Sequence, residues 1–168
     1  MKTIPLTKGY QAIVDDEDYE KLSQWKWFAH RGKSTFYAER KMRNPLISSQ
    51  SVIRMHRIIL EAPSCLHVDH INGNGLDNRR ENIRLCTNAQ NAMNQRMSKS
   101  STTLMKGVSW RSSKNKFEAA IRVRGKSVYL GAFPCLTCAA LAYDMAAVEH
   151  FGEFARTNIL SAPERKSP

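Results

Sequence analysis

The chain has no long apolar run. Its uninterrupted hydrophobic stretches reach only a few residues, as at 58–60, so no membrane-spanning segment and no membrane partner are expected. Residues 1–10 lack the apolar stretch of an export signal, and a cytoplasmic location follows as the expectation. Cysteine is sparse too. Of Cys65, Cys86, Cys135 and Cys138 only the last two form a C-x-x-C pair, and no second pair or suitably spaced histidines complete a four-ligand site. Structural zinc is therefore not expected, and the thiols read as buried or idle. Acidic residues are also scarce: 15 Asp and Glu stand against 26 Lys and Arg, a net charge of +11 that makes a polyanion the first partner to consider.

What remains is globular, since 168 residues with 42% apolar and 24% charged can bury one ordinary core or two small ones. Residues 90–104 turn polar and irregular, and 97–103 is rich in Ser and Thr, which places a domain boundary near residue 100. Upstream, residues 4–14 and 35–41 read as strands around an acidic turn at 15–20 that opens a short helix carrying Leu22, Trp25 and Trp27, the tryptophans as core. Residues 51–62 begin with Val52 and Ile53 and pass into a helix on which His56 and its neighbouring arginines are expected to be solvated.

Downstream the pattern alternates. Phe117, Ala119, Ile121 and Val123 share one face, with Glu118, Ala120, Arg122 and Arg124 on the other. Gly125 turns the chain into a strand over 127–133 whose Val128 and Leu130 face inward and Tyr129 outward, and 106–111 can supply a third strand. A helix then carries Leu136, Ala139, Ala140, Tyr143, Ala146, Ala147 and His150 at helical spacing and ends at Gly152. Between residues 106 and 126, Lys106, Arg111, Lys114, Lys116, Arg122, Arg124 and Lys126 face a single carboxylate, Glu118. A basic sheet face that also carries Tyr129 is suited to a DNA groove, because strands enter the major groove and cations neutralise phosphates.

The most informative stretch is 66–87. Leu66-His67-Val68-Asp69-His70-Ile71 leads into a loop of Asn72, Gly73, Asn74 and Gly75, then into Leu76-Asp77-Asn78-Arg79-Arg80-Glu81-Asn82-Ile83-Arg84. This reads as a strand, a Gly/Asn-rich loop, a second strand over 82–86 and a helix capped by Thr87 or Asn88. On such a β-β-α unit Asp69 and His70 leave their strand on opposite faces, so one can ligate a metal while the other reaches a reacting water; Asn91 can return beside Asp69. Phosphodiester hydrolysis needs a hard cation to offset charge on the phosphoryl oxygens, and a carboxylate with an amide oxygen suits Mg²⁺ or Mn²⁺. It also needs a base for the attacking water. A histidine, with an ordinary pKa of about 6.5, titrates where a base is useful, and a nearby Asn can orient its ring.

The run 67–74, then 76–84, then Asn91 resembles the HNH nuclease motif of phage and intron-encoded homing endonucleases, over about residues 50–96. By that resemblance Asp69 and Asn91 bind the divalent metal, His70 is the general base and Asn82 holds its ring, with His67, Asp77 and Asn78 as scaffold. Residues 107–158 resemble an AP2-type DNA-binding domain through Gly107-Val108, Phe117-Glu118-Ala119-Ala120-Ile121-Arg122, Tyr129-Leu130-Gly131-Ala132-Phe133, the Ala139–Asp144 run, Phe151-Gly152-Glu153 and Asn158. There Lys106, Arg111, Lys116, Arg122 and Tyr129 fall on DNA-contacting positions. Ser109, Ala120 and Ser127 depart from the plant regulators, so no recognition sequence carries over.

The fold class expected is α+β: a ββα-metal nuclease domain over 1–99 with its unit at about 66–96, a linker at 100–105, an AP2-like domain at 106–158 and a tail at 159–168. The function implied is a metal-dependent, site-preferring nicking endonuclease acting on double-stranded DNA as a monomer. A non-catalytic DNA-binding regulator that keeps the HNH scaffold is the rival reading. It would need a broken metal site, whereas Asp69, His70 and Asn91 are all present. An RNA or structure-specific nuclease would want an aromatic-rich single-strand platform, which the sequence lacks.

Overall fold

The computed structural model describes residues 1–43, 50–95 and 103–160. By its internal contacts the chain divides into two compact units, Met1–Asn91 and Ala92–Pro168. Residues 100–102 of the expected linker and 161–168 of the expected tail lie outside the described residues.

In the first unit, β1 (Lys2–Pro5) and β2 (Gln11–Val14) pair antiparallel, from Lys2 opposite Val14 to Pro5 opposite Gln11. The sequence reads residues 4–14 as one strand, but a 3-10 turn at Thr7–Gly9 breaks it. Lys8 (φ 62°) and Gly9 (φ 74°) are both left-handed there, which no strand tolerates. Helix α1 (Asp16–Ser23) follows, with Asp16, Glu17 and Asp18 in its first turn, where carboxylates meet the positive end of the helix dipole. Trp25 and Trp27 lie beyond the helix rather than on it. Trp27 is nevertheless core, and its indole Nε1 donates to the Leu22 carbonyl at 2.8 Å.

Strands β3 (Phe28–Arg31), β4 (Phe36–Arg43) and β5 (Gln50–Arg54) form an antiparallel sheet in that order, and β5 runs directly into α2 (Met55–Ile59). A second ribbon pairs β6 (His67–His70) with β7 (Ile83–Cys86) and is followed by α3 (Asn88–Met93). Thr87 caps that helix reciprocally: its Oγ1 accepts from Gln90 N–H, and Gln90 Oε1 accepts from Thr87 N–H at 2.8 Å. Ile4, Val14, Leu22, Trp27, Met55, Ile59 and Ile83 belong to one core, so the first hairpin, α1 and α2 are fastened to the β6–β7 ribbon through Ile83 of β7.

The second unit is a three-stranded antiparallel sheet, β8 (Val108–Arg111), β9 (Lys116–Val123) and β10 (Lys126–Phe133), with β9 central, and one long helix, α4 (Leu136–Phe151). The expected alternation holds on β9, where Ala119 and Ile121 are buried. Arg124 (φ 49°) and Gly125 (φ 81°) form a two-residue turn with both residues left-handed, the geometry that matches strand twist in a tight hairpin. Val128, expected inside, is 40% exposed. It lies on an edge strand close to that turn, and a bulge between Tyr129 and Gly131 changes the register beyond it.

Small residues bring α4 close to the sheet: Ala139, Ala140, Ala146 and Ala147 are buried with Tyr143. Gly107 has the same reason, since a Cβ there would lie 2.0 Å from the Tyr143 ring. Asp144, fully buried, accepts the backbone N–H groups of Asn158, Ile159 and Leu160 and pins the segment after α4. The cysteines correct the sequence reading. Cys135 and Cys138 are bonded to each other at the start of α4, because the N-cap and the first turn bring their Cα atoms to 5.4 Å, while Cys65 and Cys86 are free thiols.

Candidate active site

Asp69 and His70 end β6 and are both buried, at 5% and 6% exposure. Asp69 faces Arg84 across the ribbon, and the Arg84 Nε and Nη2 both donate to its Oδ2, at 3.0 and 2.8 Å. This ion pair is itself buried, so each charge depends on the other.

The loop that follows is built from side-chain hydrogen bonds. Asp77 takes both Arg79 Nε and Nη2 at 2.8 Å and also the Asn72 amide, and the Arg79 contact holds its carboxyl below the usual carboxylate range. Asn82 accepts the Asn72 N–H at 3.0 Å and donates to the Asp77 carbonyl at 2.8 Å. Both ends of its amide thus serve the loop. Ile13 N–H donates to the Leu76 carbonyl and the Ile13 carbonyl accepts from Asn78 N–H, each at 2.8 Å, which ties the loop to β2. Arg80 ties it to α1 through Asp18 and Glu17.

The ring of His70 meets Asn78, which is fully buried: Nε2 lies 3.3 Å from Asn78 Oδ1. Asn78 Nδ2 donates to the Leu76 carbonyl, which can only accept, and this fixes which end of the amide faces the ring. Oδ1 then requires a proton on His70 Nε2, leaving the lone pair on Nδ1. Burial lowers the pKa of His70, opposed by the Asn78 contact and the nearby carboxylates. The site residue assigned to the ring from sequence was Asn82; the described contact is Asn78, which had been placed in the scaffold.

A second histidine adjoins the first. His56 was expected on a solvated helix face but is 3% exposed, because α2 packs against β4 and β5. Its ring meets that of His70 edge-on at 5.0 Å and Tyr37 at 5.7 Å. Burial, with His70 and Arg54 and Arg57 nearby, pushes its pKa down to about 2, so the ring stays neutral. Its Nδ1 is buried and finds no hydrogen-bond partner among the described residues. The signal for it was the apolar Met55 and Ile59 flanking it on one helical face.

Among the described residues no cluster of three or more His, Cys, Asp or Glu could hold a metal ion. Asp69 and the half-buried Asn91 of α3 each carry hard oxygen donors, of the kind Mg²⁺ or Mn²⁺ takes. A dication on Asp69 would share the carboxylate with Arg84.

In the second unit Lys116, Arg122, Arg124, Lys126 and Tyr129 are exposed. Arg111 and Lys114 are exposed too, and both pair with Glu118, at 2.9 and 2.8 Å. Lys106 differs from the rest: its Nζ donates to the carbonyls of Met93 and Gln95, and burial lowers its pKa to about 8. Trp110, at 41% exposure, stacks near Phe117 and is an aromatic of this stretch that the sequence reading passed over.

A strand pair bearing a buried Asp-His couple, an Asn-rich loop and a helix define a class, and the comparisons agree. The profile of the HNH endonuclease family matches residues 55–93. An Acanthamoeba polyphaga mimivirus protein, named an uncharacterized HNH endonuclease, is 32% identical over 157 residues, 90% of this chain and 76% of its own. Protein 3.8 of Escherichia phage T7 is 31% identical over 94 residues, 56% of this chain and 77% of its own. The chain belongs to the HNH endonuclease family, and is accordingly a DNA-cleaving enzyme. No helix among the described residues is long and apolar enough to cross a membrane.

Proposed function

We propose that the protein is a metal-dependent nicking endonuclease of the homing type, a monomer that cuts one strand of double-stranded DNA. The observation that carries this reading is the buried Asp69-His70 couple inside the segment matched by the family, with the His70 tautomer set by Asn78. His70 Nδ1 takes a proton from the attacking water while Nε2–H stays on the Asn78 amide, so the ring keeps its orientation through the transfer. Asn82 acts on the same step at one remove, by holding Asn72 and Asp77 and with them the loop that carries Asn78. Asp69 and Asn91 hold the cation. When bound, a divalent cation offsets charge on the phosphoryl and leaving oxygens. Arg84 keeps the Asp69 carboxylate aligned for it.

The second unit acts as the reader, an AP2-like sheet laid in the major groove. Lys116, Arg122, Arg124, Lys126 and Tyr129 contact DNA from its exposed face, joined by Arg111 and Lys114 once phosphates compete for them with Glu118. Lys106 serves by anchoring residues 93 and 95. One active site per chain supports a nick rather than a double-strand break. Incubating the protein with supercoiled plasmid tests the reading: open circles form with Mg²⁺ or Mn²⁺ and not with chelator. Binding without cleavage under all metals would favour the regulator.

A further inference from the structure

The start of α4 carries cysteines where helices commonly hold Ser or Thr and, three residues later, Glu or Gln. Cys135 is the N-cap in extended conformation, and its Sγ accepts the Cys138 N–H at 3.0 Å, the backbone half of a capping box. The two sulfurs are also bonded to each other. Cys138 is exposed and Cys135 half-buried, so the bond faces solvent at the beginning of a 16-residue helix. A helix N-terminus favours a thiolate, through its dipole and its free N–H groups. The free thiols compete poorly: Cys86 is buried and its thiol is pushed up to about 11 by that burial, and Cys65 stands alone.

We propose that Cys135 and Cys138 form a reversible dithiol–disulfide site that exchanges with small-molecule disulfides of the glutathione class. The first turn of α4 is then covalently closed in the oxidised protein and held by the N–H···S contact in the reduced one. In opening, a glutathione thiolate attacks the exposed Cys138 sulfur and the Cys135 sulfur leaves as a thiolate, received by the Cys138 N–H. A second glutathione thiolate attacks the glutathione sulfur of the mixed disulfide, releasing the Cys138 thiolate and oxidised glutathione. Two glutathiones are oxidised, the protein disulfide gains two electrons, and two protons restore the thiols at neutral pH. Closing is the reverse, with oxidised glutathione as the electron acceptor.

The test uses the full-length protein equilibrated in glutathione buffers, quenched in acid, denatured and alkylated, with the labels counted and mapped by mass spectrometry. Four labels are expected under reducing conditions. As the ratio of squared reduced to oxidised glutathione falls through a span of about a hundredfold, two labels should disappear together, from Cys135 and Cys138. Amide exchange in the first turn of α4 should run about 10- to 30-fold faster in the reduced form. Replacing the pair by an ordinary capping box, Cys135→Ser with Cys138→Glu, should make that exchange independent of thiol. The proposal is overturned by four labels at every ratio, by two labels that excess thiol never restores, by loss of label at Cys65 or Cys86, or by an exchange rate that ignores the redox state of the wild type.

Discussion

Among the described residues the first unit buries nine polar or charged side chains, from Asp18 to Arg84, whereas the second buries only Asn94 and Asp144 and leaves the cations of its sheet exposed. The consequence is a difference in what a substitution does. Inside the first unit all of these groups but His56 are bonded to another side chain or to the loop backbone, so removing one strands its partners in a low-dielectric interior. On the sheet of the second unit a lost cation is replaced by water, and only the affinity for a polyanion registers it.

His70→Ala breaks the comparison most sharply, because it takes away chemistry without touching the sheet. Cleavage of plasmid in Mg²⁺ should slow by two to four orders of magnitude, at roughly that size for a lost general base, while DNA binding stays within about twofold of wild type. Undiminished cleavage would remove His70 from the mechanism. Arg84→Ala comes next. It leaves Asp69 buried without its cation and should cost about 3–5 kcal/mol in urea unfolding.

The pH dependence sharpens the contrast in a different way. His56 has a folded-state pKa of about 2 against 6.5 for an ordinary histidine, and His70 is shifted in the same direction. Below about pH 6.5 the unfolded chain therefore takes up protons that the folded unit refuses, and stability falls as pH falls. For His56 alone the loss between pH 7 and pH 5 is about 2 kcal/mol, read from urea midpoints at the two pH values. His56→Phe should abolish that share, and an acid sensitivity equal to wild type would show that another group carries it. The smallest effect belongs to the sheet. Lys114→Ala should leave thermal unfolding unchanged, weaken binding to all sequences alike and reduce the slope of log affinity against log salt by about 0.9. A change in sequence preference from this variant would mean that Lys114 reads bases.

Local rules made much of this legible. A cap at Thr87 or Asn88, a turn at Gly125, the alternation of β9 and the end of α4 at Gly152 all depend on neighbours within a few positions, and a single sequence shows those. The strand that ends in Asp69 and His70 before the Asn-rich loop was legible for the same reason. What stayed hidden depends on distant partners. The burial of His56 follows from where α2 packs, and the apolar Met55 and Ile59 on the same short helical face were its only local sign. Asn78 rather than Asn82 meets the ring because Asn82 turns both amide ends into the loop. The Cys135–Cys138 bond looked idle as a sequence pair; at a helix start the backbone brings the two together. Lys106 read as one more cation until its Nζ was found on two carbonyls.

The tether from β2 to the loop bears on anyone who would cut or graft this enzyme. Residues 55–93 look like a portable cassette because they contain the whole recognised motif. Yet Asn78 is held by the Ile13 carbonyl, and Arg80 by Asp15 and Asp18, all far upstream. A transplant of the cassette would carry Asp69 and His70 and leave behind the frame that holds their loop. The smallest transferable piece therefore starts before residue 13, and libraries that vary the N-terminal hairpin as if it were packaging would be varying the placement of Asn78 and, through it, of the His70 ring.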